Sequence, residues 1–180
     1  ADAIHAGFAD HFVPAGAWEG LKAELCASGE PAAVEAAASE PGESALAARQ
    51  RLVDRHLGGE TLGDILRSLR IPTPDDPENT AFCQETLKVM VRNSPLSMAC
   101  TVEIIHRLRG PGATIERALD LEYRFTARSM ERGDFLEGIR AAIIDKDRKP
   151  RWRHRLDTLK DYEVAQMLMP LPREEKETTT

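Results

Sequence analysis

The sequence predicts a mainly α protein with one short strand near residues 8–13. Two observations carry this. Apolar residues recur three and four apart along most of the 180 residues. The periodic stretches open on a capping residue, twice followed by proline, and several close on glycine. Only FADHFV, at 8–13, alternates as a strand does, and it stops at Pro14. One strand cannot satisfy its own backbone, so its partner is expected either in a second copy or in sequence outside these residues.

Residues 1–6 read as the end of a helix stopped by Gly7. Ala15 to Ala27 carries Trp18, Leu21 and Leu25 on one face and ends near Gly29. Residues 30–44 are rich in Ala and Glu between prolines and fit either a short exposed helix or a linker. Helical patterns follow at Leu46–Leu57 and Leu62–Leu69, split by Gly58-Gly59. No apolar strand precedes that pair and no phosphate-loop spacing follows it, so it reads as a helix break. IPTPDDP, at 71–77, is a connector whose Asp76-Pro77 caps a helix through Phe82, Leu87, Met90 and Val91. Ser94-Pro95 repeats the signal, with Met98, Val102, Ile105 and Leu108 expected on the apolar face. After Gly110-Pro111-Gly112, a helix over 113–132 places Ile115, Leu119, Phe125 and Ser129 on a stripe that includes Glu122. A carboxylate there is expected to be structural, paired with an arginine or set at a crowded crossing. Gly133 ends it. Asp134 then starts another, with Glu137 three residues on in the pattern of a capping box and Phe135, Ile139, Ala142 and Ile143 as its apolar face. That helix collapses at Asp145, and Pro150 forbids its return. A short helix over Tyr162–Met169 and a disordered polar tail, REEKETTT, complete the chain.

Composition narrows the function. No apolar run is long enough to cross a membrane, and the first residues lack the basic-then-apolar layout of a secretory signal. They also lack a Met and read as though the chain opens inside a helix. Cys26, Cys83 and Cys100 are too few and too scattered for a disulfide framework or zinc site, which points to free thiols in a reducing cytoplasm. The five histidines form no metal spacing, no serine sits on a glycine elbow, and no carboxylate pair stands apart. No catalytic residue and no metal ligand is therefore assigned. A net charge of −6 argues against a nucleic-acid partner.

The charge is uneven. Lys22 is the only base among residues 1–44, against eight acids. Between 145 and 160, Lys146, Arg148, Lys149, Arg151, Arg153, Arg155 and Lys160 outnumber three acids. Such a patch suits a small polyanion or an acidic partner surface, with Trp152 available to stack. The same pattern also describes a solvated segment that covers a neighbouring helix.

SPLSMACTVEIIHRLR (94–109) and LEYRFTARSMERGDFLEGIRAAIIDKDRKPRW (121–152) resemble the C-terminal region of the crotonase superfamily. IIDKDRKPRW and the long helical insertion at about 30–92 are closer to its 3-hydroxyisobutyryl-CoA hydrolase branch. ADAIHAGFADHFVP is similar to the point where the crotonase core finishes.

The resemblance implies the helical C-terminal portion of a crotonase-like α/β fold. Residues 1–29 would end the core, 30–75 would form an insertion and connector, 76–169 a C-terminal helical domain and 170–180 a disordered tail. It further implies an acyl-CoA thioester hydrolase, with enoyl-CoA hydratase or isomerase as the alternative. In that family two backbone N–H groups form an oxyanion hole and core carboxylates do the chemistry. Those elements precede the residues present here, so the chain is expected to be inactive alone. A stand-alone helical interaction module is the alternative of another class. The resemblance implies an acyl-CoA substrate, with coenzyme A part of the substrate rather than a cofactor, the missing N-terminal core as partner, and a homo-oligomer. Terminal basic and aromatic residues lie near the adenine end of coenzyme A in some crotonases. By that likeness Lys146, Arg148, Lys149 and Trp152 are the candidate ligand residues.

Overall fold

The computed structural model describes residues 1–71, 73 and 75–172. The predicted disorder at 173–180 lies outside those residues, as do Pro72 and Pro74 of the connector. Ten α-helices account for most of the described chain. The chain divides into two compact units, Ala1–Asp54 and Arg55–Thr180.

In the first unit, α1 (Asp2–His5), α2 (Trp18–Ser28) and α3 (Ala32–Ala37) precede α4 (Ala45–Leu57), which runs on into the second unit. A 3-10 turn at Ala15–Ala17 leads into α2. Gly29 ends α2 with φ +70°, a conformation that glycine adopts without a Cβ penalty. The start of α4 is capped from a distance. Asp2 accepts from the Ser44 hydroxyl (2.7 Å) and the Leu46 N–H (3.0 Å), and these bonds hold its carboxyl below the usual carboxylate range. The strand expected at 8–13 is not formed. A single antiparallel bridge pairs Phe12 with Ser39, and the described residues contain no named strand. Among the described residues the segment meets a partner backbone only at that bridge, and the Trp18 indole N–H takes the Val13 carbonyl (2.9 Å).

In the second unit, α5 (Leu62–Arg70) packs against α6 (Pro77–Met90) and α7 (Pro95–Arg107). Leu62, Ile65, Leu66 and Leu69 recur three and four apart and are all buried against Cys83, Met90 and Ala99. Thr61 and Asp64 form a reciprocal capping box that fixes where α5 begins. Asp76 and Ser94 cap α6 and α7 as their sequences predict, accepting from the Asn79 and Ser97 N–H groups. A second cluster joins Leu96 and Cys100 of α7 to Met167 and Leu168 of α10 (Asp161–Leu168). Both α7 and α10 also pack on α8 (Ile115–Ser129).

Three apolar faces differ from expectation. On α7 the buried residues are Pro95, Leu96, Ala99 and Cys100; Met98 and Val102 of the expected face are half-buried against the core, while Ile105 is exposed. On α8 the buried side carries Leu121 and Ser129, with Phe125 half-buried, and Ile115, Leu119 and Glu122 face outward. Glu122 thus lies off the buried stripe. The third case is α9 (Phe135–Ile139), which widens into a π-turn over Arg140–Ile144. Ala141 is buried, whereas Phe135 and Ile143 are 52% and 64% exposed. The π-turn adds a residue per turn and rotates the side chains that follow it, Ile143 among them, away from the predicted stripe; Phe135 precedes it, at the first turn of α9.

Candidate ligand-binding site

The second unit presents its basic segment as a loop folded back over α9. The π-turn ends where the Asp145 N–H reaches the Arg140 carbonyl (2.8 Å), five residues back. The Arg148 N–H then returns to the Ala141 carbonyl (3.0 Å). Lys146 and Arg148 take the left-handed conformation, with φ +56° and +53°. That conformation costs an L-residue about 1–2 kcal/mol and persists where surrounding bonds impose it.

Those bonds converge on Arg140. Its Nε and Nη2 donate to the two Glu137 oxygens (2.9 and 2.7 Å), a bidentate pair at helical spacing. Its Nη1 donates to Asp145 (2.6 Å) and Asp147 (2.9 Å), and Nη2 also reaches the Lys149 carbonyl (3.1 Å). Glu137 additionally accepts the Arg151 N–H (2.6 Å), and Asp147 the Lys149 N–H (2.8 Å). The Arg140 guanidinium, with help from the Arg151 N–H, holds the Glu137 carboxyl down to about 2. Asp147 is lowered by Arg140 and the Lys149 N–H. The three carboxylates in turn raise Arg140 above its ordinary value.

The expected capping box at Asp134 is replaced by longer-range bonds. Asp134 is buried and makes no side-chain cap bond to its own helix. Its oxygens accept from the Ser94 hydroxyl (2.6 Å) and the Arg153 N–H (2.8 Å), tying the end of the loop to the start of α7. Glu137 is taken up by Arg140 and the Arg151 N–H. Just before Asp134, Gly133 lies so close to the end of α8 that a Cβ would sit 2.8 Å from the Ser129 carbonyl oxygen.

The four sequence-predicted site residues separate into two kinds. Lys146, Arg148 and Lys149 are exposed, and their side chains enter none of the ion pairs seen among the described residues. Trp152 is half-buried. Its indole N–H donates to the Arg92 carbonyl (3.1 Å), and its ring lies over Gly138, 3.9 Å from where a Cβ there would stand. The same ring lines an apolar groove of about 610 Å³ with Phe125, Met130, Phe135, Ile139 and Ile143. The loop therefore offers three exposed cations, and Trp152 at its end lines an apolar cleft. Sequence reasoning missed Arg140. The one available signal was the spacing of Glu137 and Arg140, three apart on a helix.

Among the described residues, no three His, Cys, Asp or Glu side chains gather as a metal site, and no helix is long and apolar enough to cross a membrane.

The family model described as enoyl-CoA hydratase/isomerase matches residues 1–168. The mitochondrial 3-hydroxyisobutyryl-CoA hydrolase of Rattus norvegicus is 31% identical over 84% of this chain and 40% of its own length. The probable 3-hydroxyisobutyryl-CoA hydrolase 3 of Arabidopsis thaliana is 30% identical over 98% of this chain and 49% of its own. Among solved structures, an enoyl-CoA hydratase from Rhodobacter sphaeroides 2.4.1 superposes with a TM-score of 0.78 at 47% identity, over 94% of this chain and 47% of that one. A carnitinyl-CoA dehydratase from Mycobacterium thermoresistibile gives the same TM-score at 31% identity, over 96% and 48%. The chain thus spans less than half the length of each of these proteins.

Proposed function

The chain belongs to the enoyl-CoA hydratase/isomerase, or crotonase, family, and from that premise we propose that it is the C-terminal helical part of an acyl-CoA thioester hydrolase resembling 3-hydroxyisobutyryl-CoA hydrolase. In this reading its helices cover an active site whose oxyanion hole and carboxylates lie in the rest of the family fold. The chain alone does not turn over substrate. The observation that carries the reading is the loop at 145–152. Lys146, Arg148 and Lys149 stand outward on a rigid support, where flexible charged side chains can meet the phosphates of coenzyme A. Trp152 supplies an apolar edge at the same place, with its N–H already committed to Arg92.

The exposed Phe135, Leu136, Ile143 and Ile144 support contacts with other polypeptide, either the N-terminal core or a second copy. A cytoplasmic location fits the free thiols Cys26, Cys83 and Cys100. Relatives named mitochondrial supply the competing location, which cell fractionation decides.

Titration of coenzyme A into the chain tests the site. Replacing Lys146, Arg148 and Lys149 together by Ala should weaken binding by about tenfold or more, from the loss of charge-assisted bonds. Unchanged affinity would remove the site. Incubation with 3-hydroxyisobutyryl-CoA should release no thiol above the spontaneous rate, and turnover at an enzymatic rate would overturn the placement of catalysis elsewhere. Enoyl-CoA hydratase is the second reading, supported by the 47% identity to the Rhodobacter sphaeroides protein of that name. Joining this chain to its family core and comparing hydration with thioester hydrolysis separates the two.

A further inference from the structure

We propose that Arg140 is the positioning residue of the 145–152 loop: by drawing the Asp145 and Asp147 carboxylates onto its own guanidinium, it turns a segment of alternating charge into an outward cationic face for phosphate. This rests on the reading of that loop as a coenzyme A phosphate site.

The sequence Asp-Lys-Asp-Arg-Lys over 145–149 poses an electrostatic problem. Carboxylates one or two residues from each cation would cancel much of its field at the distance of a bound phosphate. The structure resolves this by segregation. Asp145 and Asp147 remain partly exposed, with 50% and 39% of their side chains open, but both turn to the Arg140 Nη1, while Lys146, Arg148 and Lys149 are exposed and enter none of the ion pairs seen among the described residues. Backbone conformation enforces the split, because the two left-handed residues are Lys146 and Arg148 themselves. Strained residues of this sort collect where a ligand-facing geometry has to be held.

Arg140 is suited to this and to little else. A guanidinium has five N–H donors, and here Nε serves Glu137, Nη1 serves both aspartates, and Nη2 serves Glu137 and the Lys149 carbonyl. No donor is left over for a ligand, so Arg140 acts through the loop and does not touch phosphate. Lysine has the charge but not the planar fork, and could not hold two carboxylates, a third side chain and a carbonyl in fixed directions. The π-turn that begins at Arg140 contributes as well, since it brings Asp145 back over the residue that starts it. Widened turns of this kind recur at functional sites.

The test is isothermal titration of coenzyme A into the full 180-residue chain and its variants. Arg140→Gln frees both aspartates and should weaken binding by about tenfold. Adding Asp145→Asn and Asp147→Asn to that variant should restore affinity to within about threefold of the parent, because the freed acids are then neutral. Arg140→Lys, which keeps the charge and is the milder change should Arg140→Gln fold poorly, should still weaken binding by about threefold. Parent chain that fails to bind coenzyme A overturns the underlying site reading. Parent that binds, with Arg140→Gln or Arg140→Lys binding equally well, overturns the role of Arg140 alone. Weakened binding that the two asparagines do not rescue also overturns it, since that is what a purely architectural residue would produce.

Discussion

His56 shows how far a residue's surroundings outrun its sequence position. Read along the chain, it is one of several scattered histidines. In the structure it is 2% exposed and meets Ser68, Asn79 and Cys83. The Asn79 amide donates to its Nε2 (2.7 Å), so Nδ1 carries the proton and donates to the Ser68 hydroxyl (2.9 Å). Cysteine, histidine and asparagine together would suit a nucleophile, but all three are sealed from solvent and burial pushes the Cys83 thiol up. The set is a satisfied polar core. Burial, helped by Arg55, lowers the His56 pKa below its ordinary 6.5. The unfolded chain therefore binds this proton more readily, so the contribution of His56 to stability is complete above that pH and is lost as pH falls below it. The urea midpoint should decline from pH 7 to pH 5, and His56→Gln should show a flatter decline on a stability lower by about 1–3 kcal/mol. Equal slopes for both proteins would sink the assignment. Asp76 and Ser94 were legible as caps because their partners lie three residues on. Asp134 was not, because its partners lie 40 residues before it and 19 after.

At the scale of elements, α10 depends on side chains from a helix distant in sequence. Its last carbonyls have no partners within the helix. Arg128 donates to the carbonyls of Met167 (3.0 Å), Met169 (2.7 Å) and Pro170 (3.1 Å), and Arg124 to that of Leu168 (3.2 Å). Two cations thus close the negative end of α10 where glycine would otherwise be expected. Arg128→Ala should cost about 1–3 kcal/mol and speed amide exchange in residues 161–171 ahead of the α5 amides. Uniform exchange across both helices would mean that Arg128 supports the whole unit rather than this end. The helix boundaries themselves followed closely from capping residues and glycines. The buried faces of α7, α8 and α9 did not, because each carries more apolar residues than its neighbours cover. Periodicity marks every candidate for burial and cannot choose among them.

For the molecule as a whole, α9 and its π-turn present an apolar surface. Phe135, Leu136, Ile143 and Ile144 are each more than half exposed on about two turns of helix. Concentrated apolar exposure of this kind is found on protein–protein surfaces and in ligand grooves, and self-association is the first to test. Sedimentation of the chain should show mass rising with concentration, and replacing Ile143 and Ile144 by Ser should return it toward the monomer. A monomer at every concentration would overturn self-association through this surface. Acidification bears on the same region. The Glu137 carboxylate, held down to about 2 by Arg140, keeps the loop network whole above its ordinary 4.5 and surrenders it as pH falls from there toward 2.

The sequence by itself determined that the chain is helical, where most helices start and stop, its family, and that the basic residues cluster between 145 and 160. Those follow from local bonding, periodicity and motif, all of which reside in neighbouring residues. Only the tertiary structure decided that FADHFV is no strand, that Trp152 anchors as well as lines, that Asp134 and Glu137 bind the loop instead of capping α9, and that Arg140 sorts acids from bases. Each of these depends on which groups meet after the chain has folded back on itself. A hydrogen bond or ion pair takes the partner that the packing brings within reach.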